Sequence, residues 1–129
     1  MLLFLLYFFK VPLWKNINGK ITIKPGPIIL PGTNITIICS GTDGKQGLGE
    51  PINNPKDYEI ETILIFSANR QLPIRRCNVK TDDKRECSLN LTNITSKGTV
   101  AYTCRFVTKI FPLFTCFTSE NLTVTDDGK

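Results

Sequence analysis

The chain has 129 residues, 41% of them hydrophobic, and a net charge of +5 with no histidine. This length suits one domain of about 100 residues built on a single core. The lack of histidine removes the commonest general base and the commonest metal ligand. The positive charge comes without a reading helix or stacking aromatics, so nucleic-acid binding is not indicated.

The first residues have the character of a secretion signal. Residues 2–9 form an unbroken apolar run that ends at Lys10, which is too short to span a bilayer and is typical of a signal peptide. No basic residue precedes the run and no Ala-x-Ala site follows it, so a truncated leader is an equally good interpretation. We expect a leader over 1–15, one domain over 16–125 and a polar tail over 126–129.

Short strands separated by turn signals follow the leader. Alternating apolar and polar residues predict strands over 20–24, 34–39, 60–66, 71–76, 87–92, 99–108 and 114–124. Pro25 and Pro27 predict a kink at a sheet edge. Strands spaced in this way predict an all-β protein with two packed sheets rather than a parallel sheet.

Two cysteines and a tyrosine carry the strongest fold signal. Cys39 and Cys104 fall on the apolar faces of their predicted strands, and Tyr102 lies two positions before the second cysteine. In immunoglobulin-like sandwiches, such cysteines bridge the sheets, and the tyrosine packs at a corner and hydrogen-bonds to backbone through its hydroxyl. The pattern predicts an immunoglobulin-like Greek-key sandwich with a Cys39–Cys104 disulfide. The usual core tryptophan is missing, and Ile65 is expected in its place.

The other three cysteines indicate further oxidation. Cys77 and Cys87 flank a basic segment, which favours a second disulfide that closes a short loop, with two free thiols as the alternative. Cys116 is then the odd cysteine. It could pair between molecules, pair with a residue outside this chain, or stay a free thiol. Cysteines at this density favour an oxidising compartment.

Glycosylation sequons agree with that compartment. Four Asn-x-Thr sequons without a central proline begin at Asn34, Asn90, Asn93 and Asn121. Strand phase predicts that Asn34 and Asn90 point outward. These features predict an extracellular glycoprotein, either a cell-surface ectodomain or a secreted fragment.

No catalytic motif is visible. The sequence has no Gly-x-Ser-x-Gly elbow, no phosphate-binding glycine loop and no Cys-x-x-Cys pair. We therefore expect no enzyme activity, no catalytic residue, no metal and no cofactor.

The connection between the last two predicted strands is unusually apolar. Ile110, Phe111, Leu113 and Phe114 surround a hairpin tip where polar residues are expected. Loops on rigid sandwiches collect recognition residues, and aromatic anchors dominate interfaces, so these four are binding candidates. The alternative is that they fold back onto the sandwich or dock on a following domain.

Three stretches, over residues 19–39, 63–70 and 102–116, carry a narrower resemblance. They resemble the N-terminal immunoglobulin-like domain of glycoprotein-130-type class I cytokine receptors, of the kind in the interleukin-12 receptor beta-2 and interleukin-23 receptor chains. Those receptors tend to carry a cysteine where Val107 stands, so Cys116 lacks the partner that the resemblance implies.

The resemblance implies a function in protein recognition. It implies binding of a helical cytokine, with steering by the basic region from Arg75 to Arg85. The alternatives are a generic adhesion or immune-receptor domain, which binds another cell-surface domain through its sheet face, and a structural spacer. In each case a membrane anchor would lie in segments absent from this chain.

Overall fold

The protein is a sandwich of two β-sheets. A computed structural model describes residues 18–43, 59–79, 85–108 and 116–126. The strands in these ranges are β1 (Asn18–Lys24), β2 (Ile28–Ile29), β3 (Thr33–Thr42), β4 (Ile60–Ser67), β5 (Arg75–Asn78), β6 (Glu86–Ile94), β7 (Gly98–Thr108) and β8 (Cys116–Val124). One sheet has the order β1-β3-β6 and the other the order β2-β8-β7-β4-β5. The prediction of an all-β, two-sheet sandwich is confirmed.

The chain changes sheets at the predicted proline kink. β1 pairs antiparallel with β3, whereas β2, only a few residues later, pairs parallel with β8. Pro25 and Pro27 lie between the two strands, where a residue that lacks an N–H cannot interrupt a ladder.

Period-two alternation decides which side chains enter the core. On β3, Ile35, Ile37 and Cys39 are buried, whereas Asn34 is exposed. The inner faces of the two sheets together bury a mostly aliphatic set, which includes Ile23, Ile29, Ile60, Ile63, Ile65, Cys104, Phe106, Leu122 and Val124. Sheet packing of this kind leaves the two outer faces to solvent or to partners.

The interior contains one tight contact between the sheets. Gly19 of β1 and Gly41 of β3 are directly paired, and the Phe106 ring of β7 lies against both. A Cβ on Gly19 would overlap the ring, and a Cβ on Gly41 would lie 3.0 Å from its Cε1 atom. A flat ring can cross the sandwich here because neither glycine has a side chain.

The strand β5 begins later than the sequence predicts. We expected a strand over 71–76, but β5 spans Arg75–Asn78. Residues 71–74 make the turn from β4 instead, and Ile74 donates its N–H to the Ile65 carbonyl at 2.7 Å. Pro73 explains the shift, since it cannot donate a ladder hydrogen bond.

Candidate recognition surface

Both disulfides join the two sheets. Cys39 of β3 is bonded to Cys104 of β7, with their Cα atoms 5.9 Å apart. Cys77 of β5 is bonded to Cys87 of β6, with a Cα separation of 5.7 Å. Sequence spacing predicts the second bond as a local loop closure, yet β5 and β6 are edge strands of different sheets. The Cys77–Cys87 bond is therefore a second tie across the sandwich.

The predicted core residues surround the first disulfide. Ile65 is fully buried and pairs with Cys104 across the β4–β7 ladder, in the position expected for a core aromatic. Tyr102 is buried, and burial raises the pKa of its phenol above the ordinary value of 10.0 because the charged form loses hydration. The hydrogen bond expected from its hydroxyl to backbone is not among those found in the described residues.

The outer face of the five-stranded sheet is apolar and cationic. One row of cross-strand partners runs from Arg76 on β5 through Leu64 on β4 and Arg105 on β7 to Phe117 on β8. The Arg105 guanidinium carbon lies 5.0 Å from the Phe117 ring centroid, and that ring remains 61% exposed. We call this row and its neighbours the five-stranded face. Exposed aromatic and arginine side chains are the types enriched in protein interfaces.

A groove runs beside this row. Its volume is about 420 Å³, and it is lined by Thr62, Leu64, Phe66, Gln71, Pro73, Arg76, Arg105 and Val107. The turn from β4 to β5 forms one wall. Its lining combines apolar side chains with two arginines, which suits an apolar side chain with a nearby carboxylate.

The outer face of the three-stranded sheet has the opposite character. Its central positions carry polar side chains, among them Thr36, Ser40, Ser88 and Asn90, and Ile38 is the aliphatic exception. Thr36 donates its hydroxyl to Asn90 Oδ1 at 2.8 Å, and the Asn93 N–H donates to Asn34 Oδ1 at 2.8 Å. We call this surface the three-stranded face.

The structure places all four sequon asparagines in exposed positions. Asn34, Asn90 and Asn93 cluster on β3 and β6, on the three-stranded face. Asn121 lies on β8, opposite Ala101, four residues along the strand from Phe117. At the rise of a β-strand this separation is about 13 Å, so Asn121 marks one end of the five-stranded face.

The basic region is smaller than the sequence suggests. Arg85 is half-buried and donates from Nε to Asp43 Oδ1 at 3.0 Å, and its Nη2 lies 3.7 Å from Glu59. Asp43 Oδ1 also accepts the Ile60 N–H at 2.9 Å. Arg85 therefore helps join the ends of β3, β4 and β6, and steering would depend on other side chains. Arg70 is exposed in the turn between β4 and β5, and Arg75 and Arg76 are exposed on β5.

Several predicted residues lie outside the described part of the chain. These are the binding candidates Ile110, Phe111, Leu113 and Phe114, together with the leader over 1–15. Cys116 is the first residue of β8 and pairs with Phe106, but its side chain is also outside the described part. Predictions for these positions stay predictions.

Sequence reasoning offered binding through a sheet face as an alternative, but it did not identify the row of residues on the five-stranded face. The stretch Ile63-Leu64-Ile65-Phe66 is apolar at every position, which is typical of a strand buried on both sides. A second signal could have been the pairing of Phe117 on β8 with Arg105 on β7. A phenylalanine that points outward beside an arginine is not a core residue. That relation depends on register, which a single strand pattern does not reveal.

Within residues 18–43, 59–79, 85–108 and 116–126, no group of three or more potential metal ligands comes together. In the same ranges no helix has the length and apolar character needed to cross a bilayer.

Comparisons with known proteins give little similarity. No protein-family model and no curated protein matches the chain. Solved structures that match include the solution structure of a CARDB domain from Pyrococcus furiosus, with 10% identity and a TM-score of 0.48 over 87% of this chain and 98% of that one.

The resemblance to class I cytokine receptors is wrong. No family model and no curated protein supports it, and the solved structure reported above is a CARDB domain rather than a cytokine receptor. The short stretches that suggested it, such as the Tyr102-Thr103-Cys104 run, reflect the alternation and cysteine placement of a bridged sandwich.

Proposed function

We propose that this chain is an extracellular protein-recognition module that binds a partner protein through its five-stranded face. We further propose that the sandwich has an immunoglobulin-like Greek-key topology. The sheet orders β1-β3-β6 and β2-β8-β7-β4-β5 support this, because they match an immunoglobulin arrangement in which the first strand is divided between the sheets.

The observation that carries the proposal is the chemistry of the five-stranded face. Leu64 and Phe117 present apolar surface, and Arg76 and Arg105 stand beside them in one cross-strand row. Isolated exposed hydrophobic residues are ordinary, but an apolar row with arginines and an adjoining groove resembles the centre of a protein interface.

Charge favours a different, acidic protein over a second copy of this chain. Arg76 and Arg105 stand in the row itself, Arg70 is exposed in the turn that precedes β5, and the whole chain carries a net charge of +5. Two copies meeting through this face would bring like charges together, which costs free energy. The partner we propose has an apolar centre and carboxylates facing the β5 edge.

Exposed sequons support both the location and the choice of face. Asn34, Asn90 and Asn93 are exposed on the three-stranded face, and glycans there would cover that surface. The two disulfides favour an oxidising compartment.

A matched pair of substitutions tests the proposal. Leu64 and Ile38 are both half-buried, outward-facing aliphatic residues at the middle of a strand, but they lie on opposite faces. A tetramer of the domain, expressed in a secretory host, would be screened against a panel of purified ectodomains. The same screen would then be repeated with Leu64→Asp and with Ile38→Asp.

We expect Leu64→Asp to weaken binding by about 2 kcal/mol or more, roughly thirtyfold, whereas Ile38→Asp leaves it nearly unchanged. Secretion and melting temperature of both variants would check folding. Raising salt should slow association if the partner is acidic. Equal losses from the two variants, or a complete panel without a binder, would count against recognition through this face and favour a spacer.

A further inference from the structure

The two disulfides differ in their access to solvent. Cys39 and Cys104 are each 0% exposed. Cys77 is half-buried, and the Cys77–Cys87 bond lines an open cavity of about 250 Å³ at the surface. A thiolate must reach a disulfide sulfur directly in order to exchange with it. An external thiolate can therefore approach the Cys77–Cys87 bond more readily than the Cys39–Cys104 bond.

The accessible bridge also ties a short edge strand of the sandwich. β5 has four residues, ends its sheet, and pairs with β4 along one side. β6 ends the other sheet, so the Cys77–Cys87 bond closes the open side between two edges. Short edge strands with exposed hydrogen bonds have the lowest local stability in a fold.

The cavity beside the bond is polar. Arg75 and Glu86 line it together with the two cysteines. The Arg75 guanidinium favours a thiolate in this cavity and the Glu86 carboxylate opposes it, so solvent access rather than charge distinguishes this bridge. The fully buried Cys39–Cys104 bond has apolar surroundings, including Ile37 and Ile65, which disfavour a thiolate.

We propose that Cys77–Cys87 is a thiol–disulfide exchange site that a dithiol reductant opens while the core bridge stays intact. One thiolate of the reductant attacks Sγ of Cys77, the more exposed residue of the pair, and Cys87 leaves as a thiolate that takes up a proton. The second thiol of the reductant then displaces Cys77 from the mixed disulfide. Two electrons and two protons pass to the cysteines, and the reductant becomes a disulfide.

Opening this bond releases the outer edge of the five-stranded sheet. Arg76 directly precedes Cys77 on β5 and lines the groove beside Leu64. Without the bond, β5 would depend on its pairing with β4 and on the buried side chain of Val79. The exchange chemistry is independent of the proposed function, and its effect on binding rests on that function.

The first test is graded reduction of the native full chain. The protein would be equilibrated with increasing dithiothreitol, trapped with N-ethylmaleimide, then unfolded, fully reduced and labelled with a heavy analogue before peptide mapping. We expect Cys77 and Cys87 to be trapped at about tenfold lower dithiothreitol than Cys39 and Cys104. Opening of both bridges at the same concentration would overturn the proposal. Cys116 is scored on its own peptide.

The second test measures what opening does to β5. Hydrogen exchange would compare the oxidised chain with the selectively reduced chain and with a Cys77→Ser, Cys87→Ser double variant. We expect amides of residues 75–78 to exchange about tenfold faster after opening, while those of β7 stay unchanged. Unchanged exchange in β5 of the reduced wild-type chain would refute release of the strand, whether or not the double variant is secreted.

Discussion

The two outer faces of the sandwich share one core and differ in almost everything else. The five-stranded face carries Leu64 and a Phe117 ring that is 61% exposed, with arginines beside them. The three-stranded face carries hydroxyl and amide side chains, with Thr36 hydrogen-bonded to Asn90. Both lie above fully buried residues of the same layer, such as Ile37 and Ile63. The buried residues determine the fold, and the outward residues differ between the two faces.

This comparison separates residues that maintain the fold from residues that offer a surface. Inward positions on both sheets have one requirement, to fill the interior without voids. Outward positions have no such requirement, so an exposed phenylalanine on one face and a sequon on the other both need reasons other than packing. The predictions below test whether the separation holds.

The sharpest test compares two phenylalanines that lie on opposite sides of the same sheet. Phe106 is 0% exposed and Phe117 is 61% exposed. We expect Phe106→Ala to cost about 3–5 kcal/mol of unfolding free energy, because it leaves a cavity. Phe117→Ala should cost about 1 kcal/mol or less, since it removes one exposed cation–π contact with Arg105. Urea unfolding of both variants measures the difference, and similar costs would contradict the separation.

Breaking the core bridge should affect both faces together. Replacing Cys39 and Cys104 with alanine should lower the unfolding free energy by about 2–5 kcal/mol, because the unfolded chain regains the freedom of a 65-residue span. Thermal unfolding and secreted yield measure the loss. Gln71→Ala, at an exposed turn position, serves as the control. A double variant as stable as this control would show that the stability of the fold does not depend on the Cys39–Cys104 bond.

Two glycines test how tightly the sheets fit. Gly19→Ala should cost about 1–3 kcal/mol, because its Cβ would overlap the Phe106 ring and force it to move. Gly26→Ala is the matched control, since an added Cβ there meets nothing within 4 Å. Its effect should stay within about 0.5 kcal/mol. Equal shifts in melting temperature for the two variants would mean that the ring can relax freely.

Alkaline pH should lower the free energy of unfolding through Tyr102, which lies in the interior. Burial raises the pKa of Tyr102 above 10.0, so the folded state favours the neutral phenol. The corresponding stability is fully present below the unfolded pKa of about 10 and is lost as pH rises through the folded value. Between about pH 8 and about pH 11, the free energy of unfolding measured with urea should fall less in Tyr102→Phe than in the wild type. An identical loss would assign the effect to other groups.

Alternation in the sequence predicts the core well because burial on one side leaves a direct mark on residue type. Ile35, Ile37 and Cys39 are buried as their spacing indicates, and the Cys39–Cys104 bridge follows from two inward strands. The start of β5 could not be predicted, since Pro73 and its neighbours form a turn whose length depends on the strand it returns to. A four-residue strand is too short for alternation to identify.

The surface is harder to predict than the core because it depends on relations between strands. Arg76, Leu64 and Arg105 come from three separate parts of the chain, and only register brings them into one row. The second disulfide illustrates the same limit. Spacing joins Cys77 to Cys87, but it does not reveal that the two strands belong to different sheets.

The two bridges have a consequence for mechanical load. Cys87 lies directly opposite Cys39 on the β3–β6 ladder, so both bonds leave the three-stranded sheet at neighbouring points and diverge to β7 and β5. A pulling force applied at residues 18 and 126 would pass through the Cys39–Cys104 bond and bypass the 65-residue span that it closes. Roughly 220 Å of extended chain would stay locked, so the strand β4 and the edge strands β5 and β6 would bear no tension along their length.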